Sequence, residues 1–230
     1  MLSIIVPAYN ESALIFQAVE HLIAEVKLLG IDYEIIIVDD GSKDDTFLKA
    51  QRLAELHPQV RVIKHEVNQR LGGAFRTGIK TALKDFVILC PVDSPLDENQ
   101  FRKYLQAVAE ADIVVGYRPS RLGYTNWLKF CSRTYTLALR LLLGVPLRDF
   151  NWICLYRRSI FNDIEITFSG IAFSPEILAK AHSKGYRLKE IESEMKSRKS
   201  GKGTVNRPSV MYHTFIDMLR LCWMIRFSNH

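Results

Sequence analysis

IIIVDDGSKDDT, residues 35–46, is the stretch on which the fold turns. Four β-branched residues, Ile35, Ile36, Ile37 and Val38, run into two carboxylates, Asp39 and Asp40, and then a Gly41-Ser42 turn. A short unbroken apolar run closed by turn residues is the pattern of a strand buried on both faces, as in parallel sheets. Adjacent carboxylates at the end of such a strand are costly unless they bind donors or cations. Turn and cap chemistry alone explains part of the pattern, since Asp, Gly and Ser favour turns. Asp39 and Asp40 precede the turn, however, and Asp44 and Asp45 suffice to cap the helix that follows, so a binding role is favoured.

Similar units surround this stretch. Strands are expected at residues 2–6, 33–39, 60–65, 85–90 and 112–117, with helices at 12–29, 45–56, 72–83 and 99–110. Strands alternating with helices imply a largely parallel α/β sheet. Ligands of such sheets bind beyond the carboxyl ends of the strands. That rule gathers residues 7–11, 39–42 and 68–73 and Asp93 on one edge. VPAYNES, residues 6–12, ends the first strand at Pro7 and opens a helix at Asn10, Glu11 and Ser12, which read alone is a capped helix start.

After Gly116 the pattern changes. Residues 127–143 and 211–227 are expected as amphipathic helices interrupted by Lys129, Arg133, Arg140, Arg220 and Arg226. In the second, Phe215, Leu219, Trp223 and Phe227 recur at four-residue spacing, as in a helix lying in a membrane surface or covering a partner. A strand is expected at 152–156, a helix at 174–184, and a basic mobile lid at 196–207, KSRKSGKGTVNR.

The 230 residues suit one well-packed domain, and 48% hydrophobic with 24% charged residues excludes a disordered or fibrous chain. A formal charge of +6 points to an anionic partner. The basic residues lack the aromatic strand or zinc framework of nucleic-acid readers, so no nucleic acid is expected. Cys90, Cys131, Cys154 and Cys222 show no metal-binding spacing and read as reduced packing residues in a cytoplasmic protein. No signal-like segment opens the chain, and arginines break each apolar run short of a membrane span, so any membrane contact is expected to be peripheral, on the cytosolic face.

Taken together, the sequence resembles the family-two glycosyltransferases, especially the branch typified by dolichol-phosphate mannose synthase. The resemblance rests on VPAYNE (6–11), VDDGSKDDT (38–46), NQRLGGAFRTGI (68–79), the Asp93 segment, GYR (116–118), LLLGVPLRD (141–149), FSPE (173–176), KGYRLKEI (184–191) and SRKSGKGT (197–204). It implies a GT-A type, Rossmann-like, mostly parallel sheet flanked by helices, with C-terminal amphipathic helices. Residues 1–117 would bind a nucleotide-diphosphate sugar, 118–210 the acceptor, and 211–230 would form the last amphipathic helix. Pro7, Tyr9 and Glu11 would line the nucleotide pocket, Asp39 and Asp40 would contact base or ribose, and Asp93 would hold Mg²⁺ or Mn²⁺ and the diphosphate. Arg118, Arg133 and Arg198 match arginines that gather around donor and acceptor phosphates, and Asp149 and Glu176 match acceptor-positioning residues. A helix-start role for Glu176 is the alternative.

The chain departs from that pattern in two places. Relatives carry Asp-x-Asp after the fourth strand, but here CPVDSPLD puts Pro91 at the first Asp and Asp93 at the second. Asp97 is an alternative source of the missing ligand. In the glycine segment, Gln69 and Leu71 stand in for a glycine and a lysine, and the Gly72-Gly73 pair reads as a wall of the nucleotide pocket. The implied activity is inverting transfer to a lipid phosphate, an acceptor already anionic and in need of no strong base. Transfer to an alcohol acceptor is the competing reading, although the chain has no QxxRW. An idle nucleotide-sugar-binding protein is another, motivated by Pro91. An oligomer is compatible with each.

Overall fold

The computed structural model describes residues 1–93, 96–119, 125–193, 216–221 and 223–224. Its strands are β1 Leu2–Ala8, β2 Tyr33–Asp39, β3 Val60–Lys64, β4 Phe86–Leu89, β5 Ile113–Tyr117, β6 Cys154–Arg157 and β7 Leu188–Glu192. Its helices are α1 Ile15–Lys27, α2 Thr46–Leu56, α3 Arg70–Thr81, α4 Glu98–Ala107, α5 Asn126–Leu143 and α6 Phe173–Ser183. The strands form one sheet in the order β3-β2-β1-β4-β6-β5-β7. β6 runs antiparallel to both neighbours, and every other pairing is parallel.

The central strands are apolar on both faces because both faces are covered. Ile4, Val6, Ile35, Ile37 and Ile88 pack with Val19 of α1, Leu53 of α2 and Phe101 of α4. Their alternating neighbours Ile5, Ile36, Val38 and Val87 pack with Phe75 of α3 and Ile177 of α6. This is the period-two alternation of a pleated strand. Each fully buried Val or Ile contributes about 1.5–3 kcal/mol, which makes β1 and β2 the anchor of the fold.

The register sets the functional edge. Ala8 lies beside Asp39 and Asp39 beside Lys64, so β1, β2 and β3 end flush and deliver Tyr9, Asp40 and His65 in one row. β4 and β5 are both antiparallel to β6 and therefore share a direction, so Asp93 and Arg118 follow strands that end at the same edge. The strand order reverses between β1 and β4, a switch point at which open α/β sheets form a crevice.

Several boundaries differ from the sequence expectation. α1 begins at Ile15 and not at Ser12, because the N–H groups of Leu14 and Ile15 both donate to the Glu11 carbonyl in a preceding turn and Ser12 is bound to another loop. α3 begins at Arg70, two residues before the expected Gly72. β7 was not foreseen: it is a partly exposed edge strand, LKEIE, whose charged residues hide the strand pattern. The expected lid at 196–207, with Arg198, lies outside the described residues.

Candidate functional site

The two opening motifs are stitched to each other. Asn10 sits in the left-handed region at φ 55, its N–H donates to Ser42 Oγ at 2.9 Å, and its Oδ1 accepts from the Lys43 N–H at 2.9 Å. The Glu11 N–H donates to Thr46 Oγ1 at 2.8 Å, and the Ser12 N–H to Asp44 Oδ2 at 3.2 Å. Asp44 also accepts from the Thr46 N–H at 3.1 Å, so it acts as the expected cap and as a bridge, whereas Asp45 makes no side-chain cap bond. Slight burial raises the Asp44 carboxyl, but hydrogen bonds from Thr46 and Ser12 outweigh it and hold the group at about 2. Gly41 is required twice over: its φ is 73, and a Cβ there would come within 3.0 Å of the Val67–Asn68 backbone.

These bonds separate the two carboxylates that end β2. Asp40 is buried and occupied: Oδ1 faces His65 Nδ1 at 2.7 Å and accepts from the Gln69 N–H at 2.8 Å. Asp39 is 0% exposed, and among the described residues neither of its carboxylate oxygens has a hydrogen-bond partner. Native proteins rarely leave such a group unpaired, and each instance calls for an explanation. Beside it, Pro7 is half-buried, Tyr9 is exposed, and Glu11 is half-buried at the start of the stitched turn.

The glycine segment has a packing role that its local sequence does not show. The residue in the left-handed region is Arg70, at φ 64, while Gln69 has φ −102, so the position that favours glycine is 70 and not 69. A Cβ on Gly72 would lie 2.3 Å from the Phe168 carbonyl oxygen, and the Gly72 N–H donates to the Ser169 carbonyl at 2.7 Å. Gly72 therefore docks α3 against the 168–173 segment by close backbone approach.

Farther along the edge, Arg118 is bound to Asp149 through both Nε (2.8 Å) and Nη2 (3.2 Å), with its guanidinium 4.7 Å from the Trp152 ring. Both side chains are nearly solvent-inaccessible, so Asp149 orients Arg118. Arg133 is exposed on α5. Glu176 is fully buried in the first turn of α6 and accepts from the Thr167 and Phe168 N–H groups, Thr167 Oγ1 and Lys180 Nζ, which ties the preceding loop to the helix. Burial pushes the Cys90 and Cys154 thiols up to about 12, as suits packing residues.

Asp93 is half-buried beyond β4 and makes a contact of its own. Asp97 caps α4 by accepting from the Gln100 N–H at 2.9 Å, which gives it a helix-start role. Among the described residues, no three His, Cys, Asp or Glu side chains cluster to hold a metal. Asp93, a half-buried carboxylate, is the oxygen-donor type that a hard cation takes, and water and phosphate oxygens could fill the remaining positions.

His65, directly after β3, stands at a strand end just as Asp39 does, and that place is the one sequence signal that marks it. On the outer surface, α5 fully buries Leu139 alone and exposes Trp127, Phe130, Leu137 and Leu141, with Trp127 and Phe130 stacked at 5.9 Å between centroids. In the helical residues 216–221 and 223–224, Met218 and Leu221 face the core while Leu219 and Trp223 face outward. Among the described residues, no helix is long and apolar enough to cross a membrane.

Comparison with known proteins agrees with this geometry. The glycosyl transferase family 2 model matches residues 3–165. A dolichol-phosphate mannosyltransferase of Pyrococcus furiosus is 30% identical over 189 residues, covering 77% of this chain and 52% of that protein. An undecaprenyl-phosphate 4-deoxy-4-formamido-L-arabinose transferase of Pseudomonas paraeruginosa is 28% identical over 163 residues, covering 70% and 48%. The chain thus spans about half the length of these relatives. Among solved structures, glucosyl-3-phosphoglycerate synthase of Mycobacterium tuberculosis with Mn²⁺, uridine diphosphate and phosphoglyceric acid shares the fold, with a TM-score of 0.75 and 18% identity over 96% of this chain and 78% of that one. The same enzyme has been crystallised with Mg²⁺ and uridine diphosphate. With the GT-A type sheet and its stitched motifs in place, and a family match over more than half its length, the chain belongs to glycosyl transferase family 2.

Proposed function

We propose that this chain moves a sugar, with inversion, from a nucleotide-diphosphate sugar to a lipid phosphate at the cytosolic face of a membrane. The observation that carries the donor half of this reading is Asp39, a buried carboxylate at the crevice edge whose two oxygens have no partner among the described residues. A base or ribose donor is the partner such a group lacks. Asp39 is closed to solvent, so nucleoside binding there would require the segments packed around it to shift. Tyr9, exposed beside it, offers a ring for the base, and Pro7 and Glu11 complete that wall.

Asp93 would hold Mg²⁺ or Mn²⁺ together with the donor diphosphate, and the cation would offset charge on the departing nucleotide. Arg118, preset by Asp149 and Trp152, supplies a guanidinium fork of the kind that matches phosphate oxygens. Arg133 and Arg198 would complete that phosphate site. A phosphate monoester is anionic near neutral pH, so no carboxylate base is required, and in-line attack inverts the anomeric carbon. The names of the two relatives, both polyprenyl-phosphate sugar transferases, favour this acceptor over an alcohol. The outward aromatic and leucine faces of α5 and residues 216–224, with Lys129, Arg133, Arg140 and Arg220, suit a peripheral position on anionic lipid.

The test is a panel of nucleotide sugars incubated with polyprenyl phosphate and Mg²⁺ or Mn²⁺ and read by mass spectrometry. A glycosyl-phosphoryl lipid is the expected product. Products formed only on alcohol acceptors would replace the reading. Donor binding without any transfer would support the idle-protein alternative that Pro91 motivates.

A further inference from the structure

Among the buried titratable groups outside the proposed chemistry, Glu34 is engaged by Arg61, Ser3 and the Leu83 N–H at the opposite edge of the sheet, and Glu176 is saturated by its loop. His65 differs, because it sits in the crevice row itself. Its backbone N–H donates to the Asp39 carbonyl at 2.8 Å, its Nδ1 faces Asp40 Oδ1 at 2.7 Å, and its Nε2 faces Thr77 Oγ1 of α3 at 2.9 Å. Both His65 and Asp40 side chains are only 6% exposed. A neutral ring with its proton on Nδ1 satisfies both contacts, donating to the Asp40 carboxylate and accepting from the Thr77 hydroxyl.

We infer that His65 is a positioning residue for the donor nucleoside, acting through Asp40, an inference that rests on the nucleotide-site reading above. Asp40 ties together four strand and loop ends. Its N–H donates to the Ala8 carbonyl, its own carbonyl accepts from Asn68 Nδ2, and its Oδ1 holds the Gln69 N–H ahead of α3. Without the His65 donor, the buried Asp40 carboxylate would be short of a partner and would turn toward water, away from the Gln69 N–H. That rotation releases Gln69 and loosens the 67–69 segment, whose backbone lies against Gly41. Asp39, one residue before Asp40, then loses its fixed aim at the nucleoside.

The side-chain geometry allows a test that separates positioning from packing. Asn places an amide near the position of Nδ1 and restores the donor to Asp40, whereas Gln reaches toward Nε2 and Thr77 and leaves Asp40 without it. Binding of uridine diphosphate and guanosine diphosphate, each with Mn²⁺, is measured by calorimetry for the wild type and for His65→Asn, His65→Gln and His65→Ala, alongside melting temperature. For whichever diphosphate binds, affinity is expected to fall about ten-fold in His65→Gln and His65→Ala and to stay within about two-fold in His65→Asn, with His65→Asn and His65→Gln melting alike. Equal affinity in all the variants, or losses that track melting temperature alone, would overturn the inference while leaving the nucleotide site standing. A wild-type protein that binds neither diphosphate would overturn the nucleotide-site reading, and this inference with it.

Discussion

Replacing Asp39 with Asn should make the ligand-free protein more stable and its nucleotide binding weaker, a combination that a structural residue would not produce. Asp39 is 0% exposed and both of its oxygens lack partners among the described residues. Holding an ion out of water costs several kcal/mol even after relaxation. A neutral amide left unpaired costs about 1–3 kcal/mol. The difference favours Asp39→Asn by roughly 1–3 kcal/mol, which at about 2–4 °C per kcal/mol for a chain of this length raises the melting temperature by about 2–12 °C. A hydrogen bond to a charged acceptor contributes about 1.5–3 kcal/mol. Losing the charge should therefore weaken nucleoside diphosphate binding about ten-fold or more. Differential scanning calorimetry without ligand, paired with titration of uridine and guanosine diphosphates, reads both effects. A lower melting temperature with unchanged affinity would show that Asp39 is a structural anchor and would refute the reasoning.

Asp93→Ala should abolish turnover and the metal-dependent part of nucleotide binding while leaving stability within about 0.5 kcal/mol, because the side chain is only half-buried; wild-type turnover in that variant would remove Asp93 from the site. The Asp44 carboxyl is depressed from 3.8 to about 2, so its contribution is complete above about pH 4 and is lost as pH falls through 2. Urea unfolding at pH 6 and pH 3 should accordingly show a smaller acid loss for Asp44→Asn than for the wild type, and equal losses would contradict the stitching role. Replacing both Leu219 and Trp223 with Asp should leave the core contacts of Met218 and Leu221 intact and release the protein from anionic vesicles in sedimentation. Failure of the wild type to sediment with such vesicles would rule out surface docking.

The alternating βα order, the strand at residues 33–39 and the carboxyl edge of the sheet were legible in the sequence because they depend on local patterns: β-branched runs, turn residues and helical periods. The same patterns brought Asp39 and Asp93 to one edge, since strand ends in a parallel sheet face the same way. Tertiary structure alone decided how those residues are used. Asp39 and Asp40 are chemically identical neighbours, yet the alternation of a strand end turns one toward His65 and leaves the other without a partner. Arg118 and Asp149 stand 31 positions apart, and no local rule pairs them. The Gly72-Gly73 pair reads locally as a wall of the nucleotide pocket, and only the fold shows that the small size of Gly72 serves the close approach of the 168–173 segment nearly a hundred residues later. The edge strand β7 escaped notice because its alternating charges answer to solvent on an open edge and not to a buried face. Local propensity is written in neighbouring residues, whereas partner choice depends on long-range contacts that exist only once the chain has closed on itself.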